Sequence, residues 1–81
     1  MFKQESVSEE YYRKGLSLAK IEDYEEASKY FDKAIQIDPN NILAWISKAN
    51  ALTELGNEEE AKACVDKVKA IDPNYPSLSN Y

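Results

Sequence analysis

The chain contains an internal repeat with a period of 34 residues. When the sequence is shifted by that period, residues 37–40 fall on residues 71–74, both Ile-Asp-Pro-Asn, and eleven of the 34 aligned positions are identical without a gap. A period of this length is typical of stacked supersecondary units, each of which contacts only its neighbours. We therefore predict two repeats, residues 8–41 and 42–75, in a single domain spanning residues 1–81, with residues 76–81 starting a capping helix or a third repeat.

Each repeat divides into two helices. In the first repeat, Ser6 and Glu9 form a capping box that predicts the start of the first helix, and this helix is expected to end near Ile21. The second helix is predicted to start at Asp23 and to end before Pro39, because the residue before a proline resists the helical conformation. Spacings of three and four place one set of residues on the inward faces. These residues are Tyr11, Gly15, Leu18, Ala27, Phe31, Ala34 and Ile37.

The second repeat follows the same plan with clearer end signals. Gly56 predicts a left-handed end to the third helix, and Asn57 predicts the cap of the fourth. Glutamates at 58–60 then occupy a first turn, where the helix dipole favours anions. The inward residues are Trp45, Ala49, Leu52, Leu55, Ala61, Cys64, Val65 and Val68. We predict an all-α fold of four helices in antiparallel pairs.

This pattern resembles the tetratricopeptide repeat family, whose 34-residue unit carries an aromatic residue, Leu-Gly, Tyr, Ala, Phe, Ala and Pro at fixed intervals. The matching positions are Tyr11, Gly15, Leu18, Ala27, Phe31, Ala34 and Pro39, then Trp45, Ala49, Leu52, Ala61, Val65, Val68 and Pro73. Lys14 and Lys48 stand where the family usually has leucine, and we expect both to lie on the solvent side. The resemblance covers residues 8–75 and implies hairpins stacked as a short right-handed superhelix, with Gly15 packed against Ala27.

The resemblance also implies a function, since the first helix of each such hairpin lines a concave groove that binds peptides or segments of partner proteins. Helical spacing selects the residues that face this groove. They are Tyr12, Arg13, Leu16, Lys20, Ile46, Ser47, Asn50 and Thr53, flanked by Glu9, Ala19, Leu43 and Glu54. Two interpretations of Tyr12, Leu16 and Ile46 are open: they contact the partner, or they pack between hairpins. Asn50 is either a ligand of a peptide backbone or carboxylate, or a solvated side chain.

Family members that hold the C-terminal carboxylate of heat-shock chaperones use Lys, Arg and Asn residues from three consecutive hairpins. In this chain Tyr12, Leu16 and Ser47 occupy places of that clamp. We therefore do not expect chaperone-tail binding.

Two repeats leave an end of the stack uncovered, since stacked repeats generally need a polar capping element. The chain is a piece of a longer array, or it self-associates, or Tyr75, Leu78 and Tyr81 fold back as a cap. We favour self-association, which makes a structural assembly module the alternative function. The residues predicted for that end face are Val65, Val68, Ile71 and Leu78, with the apolar Phe2 and Val7 at the other end.

Composition argues against several other functions. The net charge is -5 and the pI about 4.6, so the phosphate neutralisation that nucleic-acid binding requires is not expected. The sequence has no histidine, no glycine-rich phosphate loop and a single cysteine, Cys64, so we expect no enzyme activity, cofactor or metal. No apolar run approaches the ~20 residues that span a bilayer, and the start lacks a signal-peptide core. We expect a cytoplasmic protein without a membrane partner.

Overall fold

The computed structural model describes residues 4–75, with side chains from Val7 onward. Four helices follow one another along the chain. They are α1 (Gln4–Lys20), α2 (Tyr24–Ile37), α3 (Ile42–Glu54) and α4 (Glu58–Ile71). No strand occurs in this part of the chain, and the four helices fit two helical hairpins, so the predicted all-α fold is confirmed.

Both hairpin turns contain a residue in the left-handed backbone conformation. The φ angle is 63° at Glu22 and 86° at Gly56. In the first turn the Asp23 amide donates a hydrogen bond to the Leu18 carbonyl at 2.9 Å. In the second turn the Asn57 amide donates to the Leu52 carbonyl at 2.8 Å. These bonds form Schellman motifs, which satisfy carbonyls at the helix end. The prediction for Gly56 is confirmed, while the same conformation at Glu22 was not predicted.

The helix starts agree with the sequence in two of three cases. The Asp23 side chain caps α2 by accepting a hydrogen bond from the Glu26 amide at 3.4 Å, and Asn57 is the N-cap residue of α4, although its side chain makes no capping bond. The capping box at Ser6 is wrong, because α1 already begins at Gln4. Glutamine and glutamate are good helix formers, so the helix starts ahead of Ser6.

Phe31 is the central side chain of the first hairpin, with 1% of its surface exposed. It packs with Ala27 and with Ala51 of α3, so this cluster joins the two hairpins. A methyl group built on Gly15 would lie 2.5 Å from Cε1 of Phe31. Gly15 therefore makes room for the Phe31 ring, a contact that was not predicted from the sequence.

A second cluster lies between α3 and α4. It consists of Ala49, Leu52, Ala61 and Cys64, with Trp45 and Val65 packed against it. Ala49 and Ala61 thus share one cluster, which joins α3 to α4. The indole Nε1 of Trp45 also donates to the Pro39 carbonyl at 2.8 Å.

A buried hydrogen-bond network ties the two hairpins together. Ser8 is fully buried, and its hydroxyl donates to the Ala34 carbonyl at 2.8 Å. The same hydroxyl accepts from Nδ2 of Asn41 at 2.8 Å, while Oδ1 of Asn41 accepts from the Ala44 amide at 3.2 Å. One asparagine therefore caps α3 and connects it to the start of α1 and the last turn of α2.

Candidate protein-binding surface

The aromatic and aliphatic residues predicted for the groove on α1 lie between the hairpins. Tyr12 and Leu16 pack against the buried cluster that contains Phe31 and Ala51, and the Tyr12 and Phe31 ring centroids are 6.0 Å apart. Both side chains are only half-buried. Tyr12 and Leu16 thus pack between the hairpins, and part of each side chain stays accessible to a partner.

The α3 residues lie beside an open groove of about 430 Å³ between α3 and α4. Ile46, Asn50 and Thr53 line it from α3, together with Ala49, and Ala61 and Val65 line it from α4. Asn50 is exposed, while the Thr53 hydroxyl donates to the Ala49 carbonyl at 2.9 Å. The Thr53 proton is therefore used within the helix, whereas the Asn50 amide faces solvent.

The polar residues predicted on α1 face solvent. Arg13 and Lys20 are exposed, whereas Ser47 on α3 is half-buried. Leu43, on the same helix as Ser47, keeps 46% of its surface exposed. The exposed residues of α1 and α3 thus include two cations and one accessible apolar side chain.

The predicted end-face residues are not equally accessible. Val68 is fully buried, so its predicted exposure is wrong. It follows Ala61 and Cys64 at spacings of three and four, which places it on the buried face of α4. Val65 and Ile71 are half-buried. Leu78, together with Tyr81 of the predicted cap and Phe2 at the other end, lies outside the described residues.

The α4 wall of the groove was missed by the sequence analysis. Glu58, Lys62, Asp66 and Lys69 all line it, although the resemblance directed attention to the first helix of each hairpin. The 34-residue period contained a signal for Asp66, because it corresponds to Asp32 of α2, which pairs with Lys48 of α3.

Cys64 does not have the environment of a reactive thiol. Its side chain is buried, and burial is the largest cause that raises the pKa of the thiol. Lys48 lowers this pKa by a smaller amount, while Asp32 and Glu60 raise it further. Thiolate formation is disfavoured, whereas a nucleophilic cysteine needs a lowered pKa. Within residues 4–75 no three His, Cys, Asp or Glu side chains are arranged to hold a metal ion. None of the four helices is long and apolar enough to cross a bilayer.

Comparison with known proteins identifies the repeat. A family model described as tetratricopeptide repeat matches residues 18–80. This chain belongs to the tetratricopeptide repeat family. The sequence resemblance is thereby confirmed, and the family is in general one of protein–protein interaction modules.

One relative of this tetratricopeptide repeat chain is a protein of Methanocaldococcus jannaschii described as uncharacterized. The two are 45% identical over 49 residues, which is 60% of this chain and 57% of that protein. The chain thus matches little more than half of its relative's length, and the relative's description assigns no partner. The partner has to be argued from the surface itself.

Proposed function

We propose that this tetratricopeptide repeat chain holds a segment of a partner protein across the exposed surface of α1 and α3. Leu43 and Asn50 carry the proposal. They are both exposed and stand seven residues apart on α3, so they point to the same side of the helix. An exposed leucine offers an apolar contact, and an asparagine amide offers a donor and an acceptor to a peptide backbone.

Cations on α1 favour a partner segment that contains carboxylates. Arg13 and Lys20 are also seven residues apart and exposed on α1, and each offers a cation to a carboxylate of the partner. Charge-assisted hydrogen bonds from arginine to a carboxylate are among the strongest polar contacts at interfaces. A non-catalytic role and a cytoplasmic location, favoured by the single cysteine, are part of this proposal.

A peptide-display experiment tests the proposed surface. Random-sequence peptides displayed on phage are selected on the immobilised chain, and enriched peptides are synthesised and titrated by fluorescence anisotropy. We expect Arg13→Ala and Leu43→Ala each to raise the Kd about tenfold, as for a central interface contact. We also expect the enriched peptides to be acidic.

The matched control is Lys29→Ala, which likewise removes one positive charge from an exposed helical position. Lys29 pairs with Glu26 at 3.0 Å on α2, where solvent screens the pair, so its loss should leave the Kd unchanged. Enriched peptides that bind the Arg13 and Leu43 variants as tightly as the original chain would contradict the proposed surface.

Self-association at the end face is a second candidate function, favoured by the open groove between α3 and α4. Of the residues predicted for it, Val65 lines that groove, while the buried Val68 does not contribute. A change in molecular mass with concentration distinguishes this function from peptide binding.

A further inference from the structure

The contact between the two repeats shows how a helix docks on a hairpin of this chain. Ala44 and Ala51 are buried on α3, at 0% and 2% exposure, and Ala51 packs with the cluster of the first hairpin. Between them Lys48 forms an ion pair with Asp32 of α2. The docking helix therefore presents two small residues seven positions apart with a lysine between them.

Each member of that ion pair has a counterpart in the other repeat. The period of 34 residues relates Lys48 to Lys14 and Asp32 to Asp66. Lys14 is exposed on α1, with its Nζ 5.9 Å from the centroid of the Tyr30 ring. Asp66 is exposed and lines the groove between α3 and α4. Helix α1 thus carries a lysine, and α4 an aspartate, at the positions that join the two repeats to each other.

The groove between α3 and α4 is the counterpart of the surface that α3 covers in the first repeat. Ile46 and Val65 line it, at the positions of Tyr12 and Phe31. Phe31 is 1% exposed beneath its neighbour, whereas Val65 remains half-buried. The apolar surface formed by Ile46 and Val65 is thus retained in the second repeat, and no helix of the described residues covers it.

Charge makes this groove selective. Its wall carries Lys62 and Lys69 where the first repeat has Ser28 and Ile35. With Glu58 and Asp66 on the same wall, the groove presents charges of both signs. The two lysines favour an incoming helix that carries a carboxylate as well as the lysine that matches Asp66.

The face of α1 that corresponds to the docking face of α3 carries both a lysine and a carboxylate. Glu10 stands at the position of Ala44, Ser17 at that of Ala51, and Lys14 lies between them. All three are exposed. The small residue at 17 is retained, and the glutamate at 10 provides the carboxylate.

We infer that α1 of a second copy of this chain docks in the groove between α3 and α4, with Lys14 of one copy beside Asp66 of the other. This inference rests on the second candidate function, self-association, and specifies its geometry. The contact is head to tail, so each added copy leaves one Lys14 end and one Asp66 end available. Association is therefore open-ended, weak and sensitive to salt, because charges form much of the contact.

Charge exchange tests the inference. Sedimentation velocity of the full chain is measured over roughly 10 µM to 1 mM, the range of weak contacts. The mass of the original chain should rise with concentration past two copies, and should fall back at about 0.5 M NaCl as charges are screened. The single variants K14E and D66K should each associate at least about tenfold more weakly, because like charges then face each other.

Two arrangements should restore association, namely an equimolar mixture of the two single variants and the double variant K14E/D66K. The control K29E makes the same charge change away from both faces and should associate like the original chain. Circular dichroism checks that each variant is folded, which is expected because both positions are exposed.

The inference is overturned by single variants that associate like the original chain, by a mixture that stays monomeric, or by a mass that stops at two copies. A chain that stays monomeric but still binds the selected peptides would overturn this inference and leave the proposed peptide surface intact.

Discussion

The two repeats of this chain have the same helical plan but differ in what lies against them. The first repeat is covered by α3, and its central residue, Phe31, is 1% exposed. The second repeat has Val65 at that position, half-buried beside an open groove. The buried surface tolerates a large aromatic ring, while the open one carries a smaller residue surrounded by lysines and carboxylates. Position in the stack, as well as the repeat pattern, decides which side chains each repeat needs.

The largest predicted difference concerns these two central residues. Phe31→Ala should lower the free energy of unfolding by about 3–5 kcal/mol, because it leaves a cavity at the joint between the hairpins. Val65→Ala should lower it by about 1 kcal/mol or less, since the side chain is already partly solvated. Urea unfolding measures both. If Phe31→Ala does not fold, Phe31→Leu replaces it. Equal losses at the two positions would show that the repeats are packed alike.

Gly15 and Ala49 occupy equivalent positions in the two repeats, and replacing each by the other residue type should destabilise the chain for different reasons. Gly15→Ala places a methyl group against the buried Phe31 ring and should cost about 1–3 kcal/mol, although alanine is the better helix former. Ala49→Gly should cost about 1 kcal/mol through lost helix propensity. Thermal unfolding followed by circular dichroism compares them. A stabilising Gly15→Ala would mean that the ring has room to move.

The two N-cap asparagines should also differ. Asn41→Ala removes the cap bond to Ala44 and the bond to the buried Ser8 hydroxyl, and should cost about 1–2 kcal/mol. Asn57→Ala should cost about 0.5 kcal/mol or less, because its side chain makes no capping bond. Both losses in the free energy of unfolding are obtained from the shift of the urea unfolding midpoint, provided that the m value is unchanged. A larger loss at Asn57 would reverse the comparison.

The smallest effects concern the hairpin turns. Glu22→Gly should stabilise the chain by about 0.5–1 kcal/mol, because glycine adopts the left-handed conformation without the strain of a side chain. Gly56→Ala should destabilise it by about 1 kcal/mol for the same reason, although the space around Gly56 is open. The melting temperatures of the two variants test this, since Glu22→Gly should raise the melting temperature and Gly56→Ala should lower it. A loss of stability in Glu22→Gly would show that the glutamate side chain has a role in the turn.

Much of the fold was predictable because it depends on local signals. Gly56 and Asp23 act through their own backbone or side chain, and Pro39 constrains the residue before it, so their effects follow from the sequence nearby. The extension of α1 past Ser6 was missed because helix-forming residues and a competing cap signal overlap there. The contact between Gly15 and Phe31 was missed because Phe31 and Ala27 lie on the same face of α2, and the sequence does not show which of the two approaches the glycine.

The candidate surface was less predictable, since it depends on which faces the stack leaves uncovered. The exposure of Asn50 and Arg13 agrees with their helical positions. Tyr12 faces the same side, yet packing with Phe31 takes up much of its surface. The burial of Val68 depends on how α4 packs against the rest of the chain. From helix spacing alone, Val68 was predicted both as an inward residue and as part of an exposed end face.

The Asn41 network has a consequence for how the molecule unfolds. In a linear array of repeats, cooperativity depends on the strength of the term that couples neighbours relative to the stability of each unit. Here one side chain joins the first turn of α3 to Ser8 on α1, and Ser8 in turn holds the last turn of α2. Neither hairpin can melt without breaking a hydrogen bond that also belongs to the other. Two unequal halves should therefore melt in a single calorimetric transition, and loss of the Asn41 amide should broaden it.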